Sequence, residues 1–406
     1  TKGDWVNALV FFQQVVDAEP DSADIWYHIG EVYRFQGMLK AADTAYDNSL
    51  KSNVAFAPAY LGKARVSMSS ASPDHKHAAQ YLQKALELDP GLSEALSALA
   101  ELQLSEGDAV AALNSLSQYE ERFSLSAQVE LLRARAYLIS GNAKEALSAA
   151  QHANRLDITL LEAYKLIAAA MQNNEQVAGS IEPLETYLTY ETNDAEALSM
   201  MSLALVEAGN LQEAFLYAER ALDIDQRSVP ALIARGRVLF EQGAYLEAAE
   251  TLDSAIEIQE TSFEANILKS QVQLTRKLND SAIEFSRRAY ELAKNDRQKA
   301  TALYWRARAY AAKKQNDSAR ADLKALLELP VENLPADLRE EARKLLHQLS
   351  AATSTPTTSQ TRTTTRTPSA SATPAPTQSA TFSVTRTPTP SPAGSSAQTS
   401  SPTPRR

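Results

Sequence analysis

The sequence predicts an all-α solenoid, a stack of short helical hairpins without a single central core. Three observations predict it. Small residues recur at Ala8, Ala42, Ala78, Ala112, Ala146, Ser180, Ala214, Ala248, Ala282 and Ala319, with successive spacings of 34, 36, 34, 34, 34, 34, 34, 34 and 37 residues. Gly37, Gly107, Gly141, Gly209 and Gly243 keep the same register, as do Ser22, Ser126, Asp194, Ser228 and Ser262. Nearly every apolar series has a helical period and strand signals are almost absent. A glycine after one amphipathic stretch ends a helix, and a Ser or Asp ahead of the next caps one. The unit is therefore helix, tight turn, helix, and such a unit buries its apolar face only against copies of itself.

Taken in order, residues 1–22 read as a half repeat. Gly3 and Asp4 occupy a turn, Ala8 and Phe12 the inner face of a second helix, and Pro20 its exit. The first helix of that unit is expected upstream, so the chain reads as a piece of something longer. Residues 23–53 give the first full unit. Trp26, Ile29, Gly30 and Tyr33 share one face at i, i+3, i+4 and i+7; Gly37 breaks the pattern; Ala42, Ala45, Tyr46, Ser49 and Leu50 line a second helix. W-x2-I-G-x2-Y followed by A-x3-Y resembles the tetratricopeptide repeat.

The resemblance extends over residues 1–333, with nine full repeats starting near residues 23, 57, 93, 127, 161, 195, 229, 263 and 300. It implies a right-handed superhelix whose first helices line a concave groove. The second repeat carries a longer turn, Ser69 to Asp74, and the connection Lys294-Asn295-Asp296-Arg297 adds three residues before the ninth. Pro183 falls inside what should be the second helix of the fifth repeat, so that helix is expected to start late or kink. Leu338, Ala342, Leu345, Leu346 and Leu349 form one apolar stripe with charges outward, which predicts a capping helix over 334–350. Residues 351–406 are Ser/Thr/Pro-rich with one aromatic, Phe382, too little apolar surface to offset chain entropy, so a disordered tail is expected. Tails of this composition resemble the glycosylated stalks of surface proteins, which points to the cell exterior; an unmodified tether is the alternative.

Composition narrows the function. The tail holds five arginines and no acid, so the 350 preceding residues carry 35 bases against 50 acids, a formal charge of −15. That balance argues against a general nucleic-acid binder, which needs a basic stripe. There is no cysteine, which excludes disulfides and thiolate zinc sites, and no apolar run long enough to span a bilayer. Metalloprotease, phosphate-loop and nucleophile-elbow motifs are all missing. His75 and His77 flank Lys76, a poor metal site and a good solvated turn. Asn279-Asp280-Ser281 and Asn316-Asp317-Ser318 match the glycosylation pattern, but both sit where turn and cap residues are wanted. No catalytic residue, metal or cofactor is expected.

The groove remains. The resemblance places ligand contacts on the face of each first helix that points away from its partner. That face carries Tyr27, Glu31 and Arg34, then Arg65, then Leu131, Arg135 and Leu138, then Ile233, Arg237 and Phe240, then Tyr304 and Arg308. Arg65, Arg135, Arg237 and Arg308 share one slot among apolar neighbours, suited to peptides that mix apolar anchors with carboxylates. The competing reading is a set of solvated arginines paired with nearby glutamates. The carboxylate clamp of chaperone-binding family members is not matched, because Lys165 is followed by Ala169 where an asparagine belongs. A non-catalytic scaffold for a protein or peptide partner is expected; alternatives are the recognition arm of a larger enzyme or surface protein, and a stalk without a ligand. Limited proteolysis should remove residues from about 351 onward and leave a resistant helical body, because only the body can bury apolar surface. Early cleavage within the repeats, with the tail surviving, would contradict this division.

Overall fold

The computed structural model describes residues 5–330 and 334–351; the expectations for the tail fall outside them. Among the described residues there are twenty α-helices and no strand. After α1 (Trp5–Ala18) they form nine hairpins: α2 (Ala23–Phe35) with α3 (Leu39–Ser52), α4 (Ala57–Ser69) with α5 (His75–Leu88), α6 (Ser93–Ser105) with α7 (Ala109–Glu120), α8 (Ala127–Ile139) with α9 (Ala143–Leu156), and α10 (Leu161–Asn173) with α11 (Ile181–Tyr190). Then come α12 (Ala195–Glu207) with α13 (Leu211–Ile224), α14 (Val229–Glu241) with α15 (Tyr245–Ile258), α16 (Phe263–Thr275) with α17 (Asn279–Leu292), α18 (Asp296–Ala312) with α19 (Asn316–Glu328), and finally α20 (Ala336–Ala351). The chain is an all-α solenoid.

Local chemistry sets the helix ends. Ser126, Asp194, Ser228 and Ser262 each accept a backbone N–H of the first turn of the helix they precede. Ser22 occupies the same position without making that bond. The inter-helix turn needs a left-handed residue: Gly37, Gly107, Gly141, Gly209 and Gly243 have φ between 75° and 82°. Three repeats hold Glu175, Lys277 and Lys314 there instead, at φ 62° to 63°, a conformation unfavourable for side-chain-bearing residues. At Pro183 the helix does start late: Val177–Ser180 form a single 3-10 turn, and α11 runs for only 10 residues from Ile181. The three additional residues near 294 lengthen α18 to 17 residues at its N-terminal end.

Packing follows the small-residue series. Ala42, Ala78, Ala112, Ala146, Ser180, Ala214, Ala248, Ala282 and Ala319 are fully buried at the contact between the helices of each hairpin. Ala8 is only half-buried, and Val6, Val10 and Phe11 of α1 are exposed. First helices pack on the first helices of neighbouring repeats, whereas no second helix packs comparably on another among the described residues. The stack therefore curves with its first helices inside. At the far end Ala342, Leu338, Leu345, Leu346 and Leu349 of α20 cover Leu323 and Leu326 of the last hairpin.

A second series joins the repeats. Lys63 meets Asp43 and Asp47 at 2.8 and 2.6 Å, Arg133 meets Glu120 at 2.9 Å, and Lys269 meets Asp253 at 2.7 Å. Arg235 lies 2.7 Å from Glu219 without an aligned hydrogen bond. In each pair a first helix presents the base and the preceding second helix presents the acid. Glu219, on the second helix α13, is thus part of an inter-repeat contact. Because the Ala214 Cβ is fully enclosed with Leu184, Met201 and Val238 close by, Ala214→Phe should cost about 1–3 kcal/mol or more, read by urea or thermal unfolding. An unchanged transition would place Ala214 outside the contact.

Candidate functional site

The inner surface is built from the exposed faces of the first helices, and the candidate residues meet different fates on it. In the first repeat, Glu31 accepts from Arg34 Nε at 3.1 Å and Nη2 at 2.8 Å, and from the Tyr46 hydroxyl at 2.5 Å, with Arg65 Nη1 3.9 Å away. Burial opposes its charge, but the Arg34 and Tyr46 hydrogen bonds prevail and hold the carboxyl below its ordinary value. Tyr27 is half-buried, its ring 6.0 Å from that of Tyr46 and 5.9 Å from that of Phe56. Tyr27, Glu31 and Arg65 are therefore brought together, but around a carboxylate already held by Arg34 and Tyr46.

In the fourth repeat Leu131 does not reach the groove. It is fully buried against Ala153 and Ala163, because one face of α8 turns into the next repeat. Arg135 and Leu138 do line an open pocket of about 400 Å3, together with Glu101, Leu104, Ser105 and Ile139. Arg135 forms an ion pair with Glu162 at the start of α10. Burial draws its pKa down, with Glu101 acting in the opposite direction. Lys165 is engaged in the same manner, 2.8 Å from Asp194 and 2.6 Å from Glu196 at the start of the following first helix.

Further along, Ile233 is half-buried and packs with Leu232, Ala255 and Ala265. Arg237 Nη1 donates to Gln271 Oε1 at 3.2 Å and lies 3.7 Å from Glu241. Phe240 is half-buried with its ring 5.7 Å from that of Tyr245. Tyr304 corrects a second expectation. Only 7% of it is exposed, and its hydroxyl donates to Glu341 of α20 at 2.7 Å, so it ties down the capping helix and lines no groove. Arg308 lies on its own aromatic neighbours, 4.5 Å from the Trp305 ring centre, and has no ion pair among the described residues. The four arginines share a sequence slot but differ in their partners.

Sequence reasoning missed a chamber. Leu138, Ile139 and Gln172, at the ends of α8 and α10, face Phe263, Gln298 and Thr301, at the starts of α16 and α18, around a cavity of about 490 Å3. Leu138 and Ile139 also belong to the Arg135 pocket, so the two spaces adjoin. No local pattern marks this arrangement. The cross-repeat partners Glu162 and Asp194 left one usable signal, an acid next to the start of the following first helix.

Against known families, tetratricopeptide-repeat models match residues 23–53, 205–272 and 300–330. No curated protein matches the sequence. Among solved structures, a tetratricopeptide repeat protein from Parabacteroides merdae is 16% identical, with 64% of this chain and 98% of that one aligned at a TM-score of 0.50. The APC/C hetero-tetramer Cut9-Hcn1 gives 14% identity over 82% and 81% of the two chains at 0.50. The human IFIT1 dimer with PPP-AAAA gives 17% over 71% and 70% at 0.51. At these identities the likeness is one of fold.

Buried tyrosines supply a check on the geometry. Burial first, and then Glu31, Asp194 and Glu341 respectively, push Tyr27, Tyr187 and Tyr304 up to about 12 from 10.0. A folded-state value above the unfolded one favours the neutral hydroxyl. The associated stability is complete below about pH 10 and lost as pH rises through about 12. Absorbance at 295 nm should show tyrosines ionising near pH 12, and Tyr304→Phe should remove one of them. Ionisation of every tyrosine near pH 10 with native circular dichroism would contradict the burial described.

Proposed function

This chain is a tetratricopeptide-repeat protein, and from that premise we propose that it is a protein–protein interaction scaffold that holds an extended partner segment on its inner surface. The observation that carries the reading is the pocket of Glu101, Leu104, Arg135, Leu138 and Ile139. It is apolar and open, and its one arginine is 39% exposed and paired to a carboxylate of the neighbouring repeat. A ligand carboxylate exchanges with Glu162 at little cost in desolvation, while apolar side chains beside it displace water from Leu104, Leu138 and Ile139. The Glu31 cluster, whose carboxylate already accepts from Arg34 and Tyr46, offers less. Arg237 and Phe240 form a secondary position, where a ligand competes with Gln271. The acidic body favours a partner with few negative charges beyond the one that meets Arg135.

Selection of a random dodecapeptide display library on the full chain should enrich apolar residues flanking a single Asp or Glu. In fluorescence-anisotropy titrations of a selected peptide, Arg135→Glu and Leu138→Ala should each weaken binding by about 1–3 kcal/mol. Glu250→Lys, exposed on α15, should have little effect beyond a small screened term. Equal losses in all three variants would place the ligand on another surface.

A further inference from the structure

We infer that the solenoid carries a reversible clasp between its fifth and ninth repeats, beside the inner chamber that Arg297 helps to line. Arg297, in the first turn of α18, donates through Nη1 to the carbonyl of Asn173 at 3.0 Å, and its Nη2 lies 2.5 Å from Glu175 Oε1. The partners are 124 and 122 residues apart. Among the described residues, extensive packing elsewhere joins helices only one or two places apart in the chain, as expected of a quasi-one-dimensional fold. This contact departs from that rule.

Both ends of the contact are irregular, and the clasp accounts for each irregularity. The lengthened connection before the ninth repeat gives α18 an additional first turn, and that turn bears Arg297. Glu175 stands where five other repeats place glycine, at φ 62°. A carboxylate there is unfavourable for the backbone but reaches the guanidinium. The Asn173 carbonyl belongs to the last turn of α10, where carbonyls lack intrahelical partners and the helix dipole favours a cation.

Arg297 also lies between two spaces. It lines the 490 Å3 chamber and a polar cleft of about 650 Å3 whose wall includes Lys144, Asn174, Lys294 and Asn295. The two spaces adjoin, sharing Ser140, Gly141, Asn173 and Arg297 in their walls, so opening the clasp would widen the passage along which Leu138 is reached. The side chains of Arg297 and Glu175 are 44% and 53% exposed, so salt screens their attraction and the pair can open. The clasp stands independently of the ligand reading, since it is a property of the free chain.

The chain has no native cysteine, so spin labels at Gln151→Cys and Lys324→Cys, both exposed, report the span between α9 and α19 by pulsed electron–electron spectroscopy. The full chain at low salt should give a narrow distance distribution. Arg297→Ala, Glu175→Gly and 1 M sodium chloride should each broaden it and move it to longer distance. Glu175→Gly is the discriminating variant. It relieves the left-handed backbone, so helicity and melting temperature should hold or rise while the distribution opens. An unchanged distribution in both variants overturns the clasp. So does loss of helix in Glu175→Gly, which would assign that side chain to building the fifth repeat instead.

Discussion

The close approach of two helices at one small side chain governs this molecule. In each of the nine hairpins a fully buried alanine or serine lets the two backbones come together, and larger side chains then fill the flanks. Tyr46 shows how tight the flanks are. Its ring lies against Gly30 and Gly62, where a Cβ at Gly62 would stand 2.5 Å from the ring and one at Gly30 closer still. Repeating that contact fixes the offset of each repeat from the last, and the offset sets the curvature that makes first helices the inner wall. Where the series has no covered partner, at Ala8, the helix keeps apolar side chains in water.

Charge does a different job. Lys63, Arg133, Arg235 and Lys269 each cross from a first helix to the second helix before it. Pairs in such partly desolvated places add little net stability, because desolvation offsets the attraction, yet an unmatched partner is costly. Their contribution is therefore to register: a slipped stack would strand a buried lysine. On the inner wall the same logic saturates most candidate ligand groups. Glu31, Lys165 and Arg237 already have partners, so a ligand gains only where exchange is cheap and apolar surface lies alongside. In the reading proposed above, Arg135 beside Leu138 is the place that meets both conditions.

The sequence by itself determined the fold class, the glycine turn positions and the late start of α11, because each follows from contacts within 34 residues or from one residue's backbone preference. Glycine at 141 and proline at 183 act locally and are legible locally. The site was less legible. Spacing along one helix tells which residues share a face, but not how far the next repeat reaches over it. Leu131 and Tyr304 share the groove face by spacing, yet the following repeat buries one and α20 captures the hydroxyl of the other. Only the tertiary structure decided which arginines stay accessible, since that depends on acids one repeat away. It alone brought Glu175 to Arg297, because the curvature summed over several repeats closes a distance that no sequence spacing encodes.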